Sequence, residues 1–202
     1  MKNLNNYILE KLNIKDIKRQ YNCCPWTRDE LKKILVERLV ENENANLNDI
    51  NVSKITNMSY LFFNLDPHNI DISGWDVSNV TTMRAMFWGC QNFNTDLSKW
   101  NVSNVENMSS MFSDCKEFNS DLSNWNVSKV TDMYNMFINC KEFNSDLSKW
   151  NVSNIKDISA MFVNCKNFNS DLSKWNVSNV KDMRNMFDGC TSLKNKPSWY
   201  KE

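Results

Sequence analysis

Cysteine stands at positions 90, 115, 140, 165 and 190, five thiols at a constant step of 25. Thiols can ligate a metal, pair as disulfides or attack as nucleophiles, and spacing decides among these. Zinc sites use CxxC or mixed Cys/His spacing, whereas these cysteines are far apart in sequence and the chain holds one histidine, His68. Disulfides between neighbouring repeats are conceivable at stacking distance, yet five is an odd number and a reducing compartment prevents them. The expectation is a ladder of buried thiols acting as small apolar side chains. Asp96, Asp121, Asp146 and Asp171 form a second column. It either gathers a cation or is hydrogen-bonded within the fold, because like charges stacked about 5 Å apart repel unless bonded or neutralised. Structural bonding is the expectation. Cys23 and Cys24 lie outside the ladder, either reactive or without a role. No nucleophile–base–orienter set is visible. Three glycines and one histidine disfavour phosphate loops, histidine metal sites and histidine acid–base catalysis. The chain therefore reads as a non-enzyme with no cofactor and no metal.

The step of 25 organises much more than cysteine. Tryptophan recurs at 75, 100, 125, 150 and 175, and phenylalanine at 62, 87, 112, 137, 162 and 187. WNVSNVENMSSMFSDCKEFNSDLSN (100–124) aligns without a gap on WNVSKVTDMYNMFINCKEFNSDLSK (125–149). Such a period marks a stacked-repeat architecture. The register begins at a degenerate coil, 50–74, with Ile50 in the tryptophan slot, Leu65 in the cysteine slot and His68 in the phenylalanine slot. It ends with 175–199, where Pro197 takes a leucine slot and Tyr200 the next tryptophan slot. The domain reading is a tail at 1–24, a helical cap at 25–49, six repeats at 50–199 and an end at 200–202. Asparagine supplies 34 of 202 residues, and its periodicity argues for a structural role rather than disorder.

Columns that keep their chemistry are expected inward: Trp100, Val102, Val105, Met108, Met111, Phe112, Cys115, Phe118 and Leu122, with their mates 25 away. Columns that vary are expected outward, such as Thr81/Glu106/Thr131/Lys156/Lys181 and Gly74/Lys99/Asn124/Lys149/Lys174. The DLS triplets read as parallel strands of two to four residues, stacked about 4.8 Å apart. Residues 104–113 carry apolar groups at i, i+3, i+6 and i+7, which predicts a two-turn helix capped by Ser103 or Asn104. Asn119, Asn144 and Asn169 are placed to hydrogen-bond the turn of a neighbouring coil. The N-x-S/T sites at Asn51, Asn79, Asn101, Asn126, Asn151 and Asn176 belong to the motif itself, as a turn asparagine and a capping serine.

Thr27 and Glu30 form a capping box, with Trp26 and Leu31 as a hydrophobic staple, so a helix is predicted over 27–42. Its inward residues are Leu31, Ile34, Leu35 and Leu39, covering an open stack edge that would otherwise invite aggregation. Leu47 falls in the leucine slot 25 before Ile72. Leu4, Ile8 and Leu12 sit at i, i+4 and i+8. They give a short amphipathic helix, read as a floppy tail, a helix packed on the cap or a docking segment for a partner; the mostly asparagine polar face gives little support to membrane-surface binding.

The motif W-[ND]-V-S-x-V-x-x-M-x-x-M-F-x-x-C-x-x-F-N-x-D-L-S-x resembles the BspA-like leucine-rich-repeat family in its tryptophan-containing form. The resemblance covers about 50–199, and the segment before it is similar to the cap that precedes such repeats. It implies an α/β repeat fold: a right-handed leucine-rich-repeat-like solenoid with short parallel strands, short helices and an N-terminal helical cap. It also implies a non-catalytic protein–protein interaction scaffold. The alternatives are a component of a larger assembly such as a phage virion, or a bacterial surface adhesion protein. MKNLNNYILEKL is similar to the starts of gut-phage proteins. No signal peptide or lipobox accompanies the repeats, so a cytoplasmic or virion-associated location is expected in place of the family's surface location.

Charge and length narrow the partner. Lysine plus arginine and aspartate plus glutamate both total 24 in 202 residues, so the basic footprint of a nucleic-acid binder is absent. No apolar run of about 18 residues offers a membrane span. Another protein is the expected partner, of unassigned identity and stoichiometry. Its candidate site is the pair of most variable columns on the predicted short helices: Arg84 and Trp88, Tyr134 and Ile138, Val163, and Arg184, an apolar strip flanked by arginine. The competing site is the predicted sheet face bearing Lys99, Lys149 and Lys174.

Overall fold

A computed structural model describes residues 22–63, 65–67 and 69–201; Leu4, Ile8, Leu12 and His68 lie outside them. Helix α1 spans Arg28–Glu41. Its start follows from side-chain chemistry: Glu30 N–H donates to Thr27 Oγ1 at 3.2 Å, while Glu30 Oε2 accepts from Trp26 N–H at 2.8 Å and Thr27 N–H at 3.3 Å. These bonds occupy donors that a helix N-terminus leaves unpaired. Leu31 and Leu35 are buried, and Ile34 and Leu39 pack partly buried against the same core. The staple does not form. Trp26 is 71% exposed, and its ring lies beneath the Lys54 ammonium at 5.9 Å.

The α/β expectation fails beyond α1. Among the described residues α1 is the one α-helix and every β-bridge is isolated. The described residues form no sheet, so the chain is not an α/β solenoid of short strands and short helices. The DLS triplets are not strands because side chains capture their main-chain donors. Leu97 N–H goes to Ser120 Oγ at 2.9 Å, and Ser98 N–H to Asp96 Oδ1 at 2.9 Å. Residues 104–113 are not helical because the N–H groups of Met108, Ser110 and Phe112 leave their own coil. They donate to the carbonyls of Asp132, Tyr134 and Met136 at 2.8–3.0 Å. Ser110 and Asp114 hold left-handed φ values of 56° and 62°, which a right-handed helix excludes. Two isolated turns of helix are marginal; a neighbouring coil offers the same donors carbonyl partners 24 residues ahead. The single parallel bridges run through this segment, Asn57–Thr82–Asn107–Asp132–Asp157–Asp182. Ser103 caps nothing: its N–H donates to Asn101 Oδ1 at 3.2 Å.

What the structure does contain is a stack of 25-residue coils built on side-chain ladders. The nine residues expected inward in the third coil are buried, from Trp100 at 4% exposed to Phe112 at 0%, whereas several of their mates in the last coil are only partly buried. Phe87, Phe112, Phe137 and Phe162 stack at 5.6–5.7 Å. Each also packs at 4.0–4.1 Å on the second phenylalanine of its coil. In the column Trp75, Trp100, Trp125, Trp150 and Trp175 each indole N–H reaches back 28 residues to a leucine-slot carbonyl, as in Trp125 to Leu97 at 3.1 Å. The last step changes residue. Tyr200 keeps the slot's backbone bond to Pro197, but Trp199 supplies the ring that stacks on Trp175 at 6.2 Å and donates to Leu172 O at 2.9 Å.

The asparagine ladder forms as the spacing predicts. Asn144 N–H donates to Asn119 Oδ1, and Asn169 N–H to Asn144 Oδ1, both at 2.9 Å. α1 closes the first coil. In later coils the carbonyls of Arg84 and Ser113 accept N–H groups of the preceding coil. Their counterparts Ser59 and Phe63 instead receive Arg28 Nη1 and Lys32 Nζ, each at 3.2 Å. Two cations thus end a ladder whose carbonyls would otherwise be orphaned.

Candidate functional site

The five ladder thiols are hydrogen-bonded and largely buried, while Cys24 is exposed. All seven cysteines are free thiols. Those of the ladder each donate to a phenylalanine carbonyl 28 residues back, as Cys140 Sγ does to Phe112 O at 2.9 Å. Burial pushes Cys90 and Cys190 to about 12 and holds Cys115, Cys140 and Cys165 well above the usual thiol value. A nucleophilic thiol needs the opposite shift. The ladder is more than apolar filling, since each S–H adds a second donor to a carbonyl that already accepts a backbone N–H, as Phe112 O does from Cys115 N–H at 3.0 Å. The aspartate column is consumed by its own turns. Asp96, Asp121, Asp146 and Asp171 each accept from the serine N–H two residues on, at 2.9 Å. Those backbone bonds hold the carboxyls below the usual value. Five of the glycosylation-like asparagines behave alike, as in Ser128 N–H to Asn126 Oδ1 at 3.1 Å, whereas Asn79 donates its Nδ2 to Ser53 O at 2.9 Å.

The surface differs where the two variable columns run. Trp88 is 39% exposed and Tyr134 45% exposed; Ile138 and Val163 are half-buried and Arg84 is exposed. The two columns do not share a helix face, because no helix is there. They lie on the turns whose N–H groups cross to the next coil. Nor are they uniformly outward, since Ser109, Ser113 and Ser159 are buried at 5%, 5% and 8%.

The structure joins Arg84 and Trp88 to residues that the sequence reading passed over. Phe63 occupies the same column as Trp88 one coil earlier, and the rings meet at 5.1 Å. Tyr60 stands edge-on to Phe63 at 6.0 Å. The Arg84 guanidinium lies over the Tyr60 ring at 5.8 Å, within cation–π range. Extending the column back by 25 would have found Phe63; the degeneracy of its coil hid it.

Trp88 is also fixed. Its indole N–H donates to Asp114 Oδ2 at 3.1 Å. Asp114 Oδ1 accepts Asn139 Nδ2 at 2.7 Å, and Asn139 Oδ1 accepts Asn164 Nδ2 at 2.8 Å. Asp114, Asn139 and Asn164 share one left-handed column, with φ values of 62°, 63° and 59°. Asparagine and aspartate tolerate that conformation best after glycine. A hydrogen-bonded row across three coils therefore sets the orientation of one exposed indole.

The remaining candidate residue does not join this group. Arg184 in the last coil is held by Asp182, with Nε at 3.0 Å from Oδ1, and that partnership pulls Asp182 down to about 2. The competing lysine face has no sheet. Lys149 and Lys174 are exposed along a polar groove lined by Asn144, Asp146, Asn169 and Asp171. No helix among the described residues is long and apolar enough to cross a membrane. A family model described as "Mycoplasma protein of unknown function, DUF285" matches residues 31–140 and again 120–201. The two overlapping registers are what equivalent coils permit. No curated protein matches, nor does any solved structure.

Proposed function

The chain belongs to the family described as Mycoplasma protein of unknown function, DUF285, and we propose that it is a non-catalytic protein–protein interaction scaffold of the BspA-like repeat type. The observation that carries this reading is Trp88, a partly exposed indole fixed by Asp114 and backed by Phe63. A large aromatic side chain oriented in advance loses little freedom on binding, and such residues dominate interface energies. The same column continues through Ile138 and Val163, half-buried where packing tolerates Ser113 and Asp188. Reactive side chains elsewhere are occupied: ladder thiols by carbonyls, column aspartates by serine N–H groups.

The test is a pull-down from the native source with wild-type chain and a Trp88→Ala/Tyr134→Ala double variant. The double variant is expected to lose the partner while its melting transition stays within about 1 kcal/mol of wild type, as for exposed side chains. Retained binding there, with loss in Lys99→Ala/Lys149→Ala/Lys174→Ala, would move the site to the lysine groove.

A further inference from the structure

We propose that the patch formed by Phe63, Trp88, Tyr60 and Arg84 binds a polypeptide segment carrying an aromatic or large aliphatic side chain beside a carboxylate. This deepens the scaffold reading and rests on it, naming the chemistry of the partner.

The apolar half of the requirement comes from the rings. Phe63 and Trp88 meet at 5.1 Å with an interplanar tilt of 36°, and Tyr60 closes against Phe63 at 81°. Phe63 and Tyr60 are half-buried and Trp88 is 39% exposed. The rings present a shared apolar surface backed by packed protein, which suits an inserted side chain better than a flat contact.

The charged half comes from Arg84. Four arginines are among the described residues: Arg28, Arg38, Arg84 and Arg184. Three are ion-paired, to Asp29, Asp49 and Asp182. Arg84 has no carboxylate partner among the described residues and lies on Tyr60 instead. Lys32 and Arg28 add positive charge behind the patch, their nitrogens on the carbonyls of Ser59, Tyr60 and Phe63. The neighbouring carboxylate, Asp114, is turned to Trp88 and Asn139. A guanidinium held over an aromatic ring by cation–π attraction keeps N–H donors for a carboxylate. One partner segment thus finds an apolar seat and a cation side by side on the first two coils.

The probe is a random octapeptide library panned on the full chain, with retained peptides read by sequencing. Wild type is expected to enrich an aromatic or leucine residue flanked by aspartate or glutamate. The best acidic peptide should bind at least about tenfold more weakly to Trp88→Ala. Arg84→Glu is expected to exchange the acidic preference for a basic one. Raising salt should weaken the acidic peptide on wild type alone, a readout that needs no variant. Enrichment of basic or uncharged peptides that Trp88→Ala abolishes would overturn this chemistry and leave the scaffold reading standing. Enrichment indifferent to Trp88→Ala, or none, would overturn both. Self-association lost on Trp88→Ala would instead assign the patch to a second copy of this chain.

Discussion

Val130 and Val180 occupy the same column, two coils apart, yet Val130 is fully buried and Val180 is only partly buried. Met133 and Met183 repeat the contrast, as do Cys140 and Cys190. The fourth and sixth coils share nearly the same motif, so the difference is not written in the coil. It comes from neighbours: a coil is buried by those on both sides of it, which is why one repeat cannot stand alone. At the other end the first coil is degenerate in sequence yet keeps Ile50, Val52 and Met58 buried, because α1 covers it.

This contrast is breakable, most severely at tryptophan. Trp125→Ala in the fourth coil is expected to cost about 3–5 kcal/mol, the range for a large buried aromatic. Trp199→Ala, half-buried at the last coil, is expected to cost at least about 2 kcal/mol less, in proportion to its smaller buried area. Denaturant melts of both variants decide this, and equal midpoints would mean that coil position does not govern burial.

Thiol chemistry sharpens the same comparison. Cys24 is exposed, Cys23 and Cys190 are partly buried and Cys140 is buried. Labelling of the native protein is expected in that order, with Cys140 slower than Cys24 by about a hundredfold or more because it must wait for opening. All seven reacting at one rate would refute the ladder's burial. The raised thiol values also set an alkaline limit. Their contribution to stability is complete below the unfolded thiol value, about 8.5. It declines as pH rises beyond that point, because the unfolded chain then releases protons that the folded one retains. It is spent by about 12 at Cys90 and Cys190. A melting temperature independent of pH between 8 and 10, against a control with serine at Cys115 and Cys140, would contradict this.

Glycine reverses the ranking of the coils. Gly89 and Gly189 share the left-handed column, at φ 79° and 73°. A Cβ at Gly89 would meet open space, whereas at Gly189 it would collide with the Asn164 side chain. Gly89→Ala is expected to cost about 1 kcal/mol and Gly189→Ala about 2 kcal/mol, the first from backbone conformation alone. Equal costs would mean that Asn164 moves aside freely. The smallest effect is expected at Lys149→Ala, exposed on the groove, at less than about 0.5 kcal/mol.

The parts of the fold legible beforehand were those with short-range causes or repeated evidence. The capping box needs only Thr27 and Glu30, and it formed. The inward columns were visible because six near-copies of one coil separate fixed chemistry from variable chemistry. The misreadings share a cause. Apolar residues at 105, 108, 111 and 112 fit a helical face, but they equally fit turns whose alternate donors point at the next coil. Periodicity alone does not distinguish these. Trp26 failed as a staple because its ring found Lys54 in the first coil, a long-range contact invisible to a local motif. At the candidate site, Trp88 was legible as an apolar residue in a permissive column. Phe63 was readable in principle, 25 before it.

By itself, then, the sequence determined the period of the stack, its core columns, its capped beginning and the serine, asparagine and aspartate side chains that close its turns. These follow from identities at fixed spacing. Tertiary structure alone decided where each main-chain N–H would bond, and so removed the helices and strands that the spacing suggested. It alone brought Arg84 onto Tyr60, Trp88 onto Phe63 and Asp114 under the Trp88 indole. The physical reason is that these partners are 24 to 26 residues apart. Their meeting depends on which carbonyls the neighbouring coil presents, and no single coil carries that information.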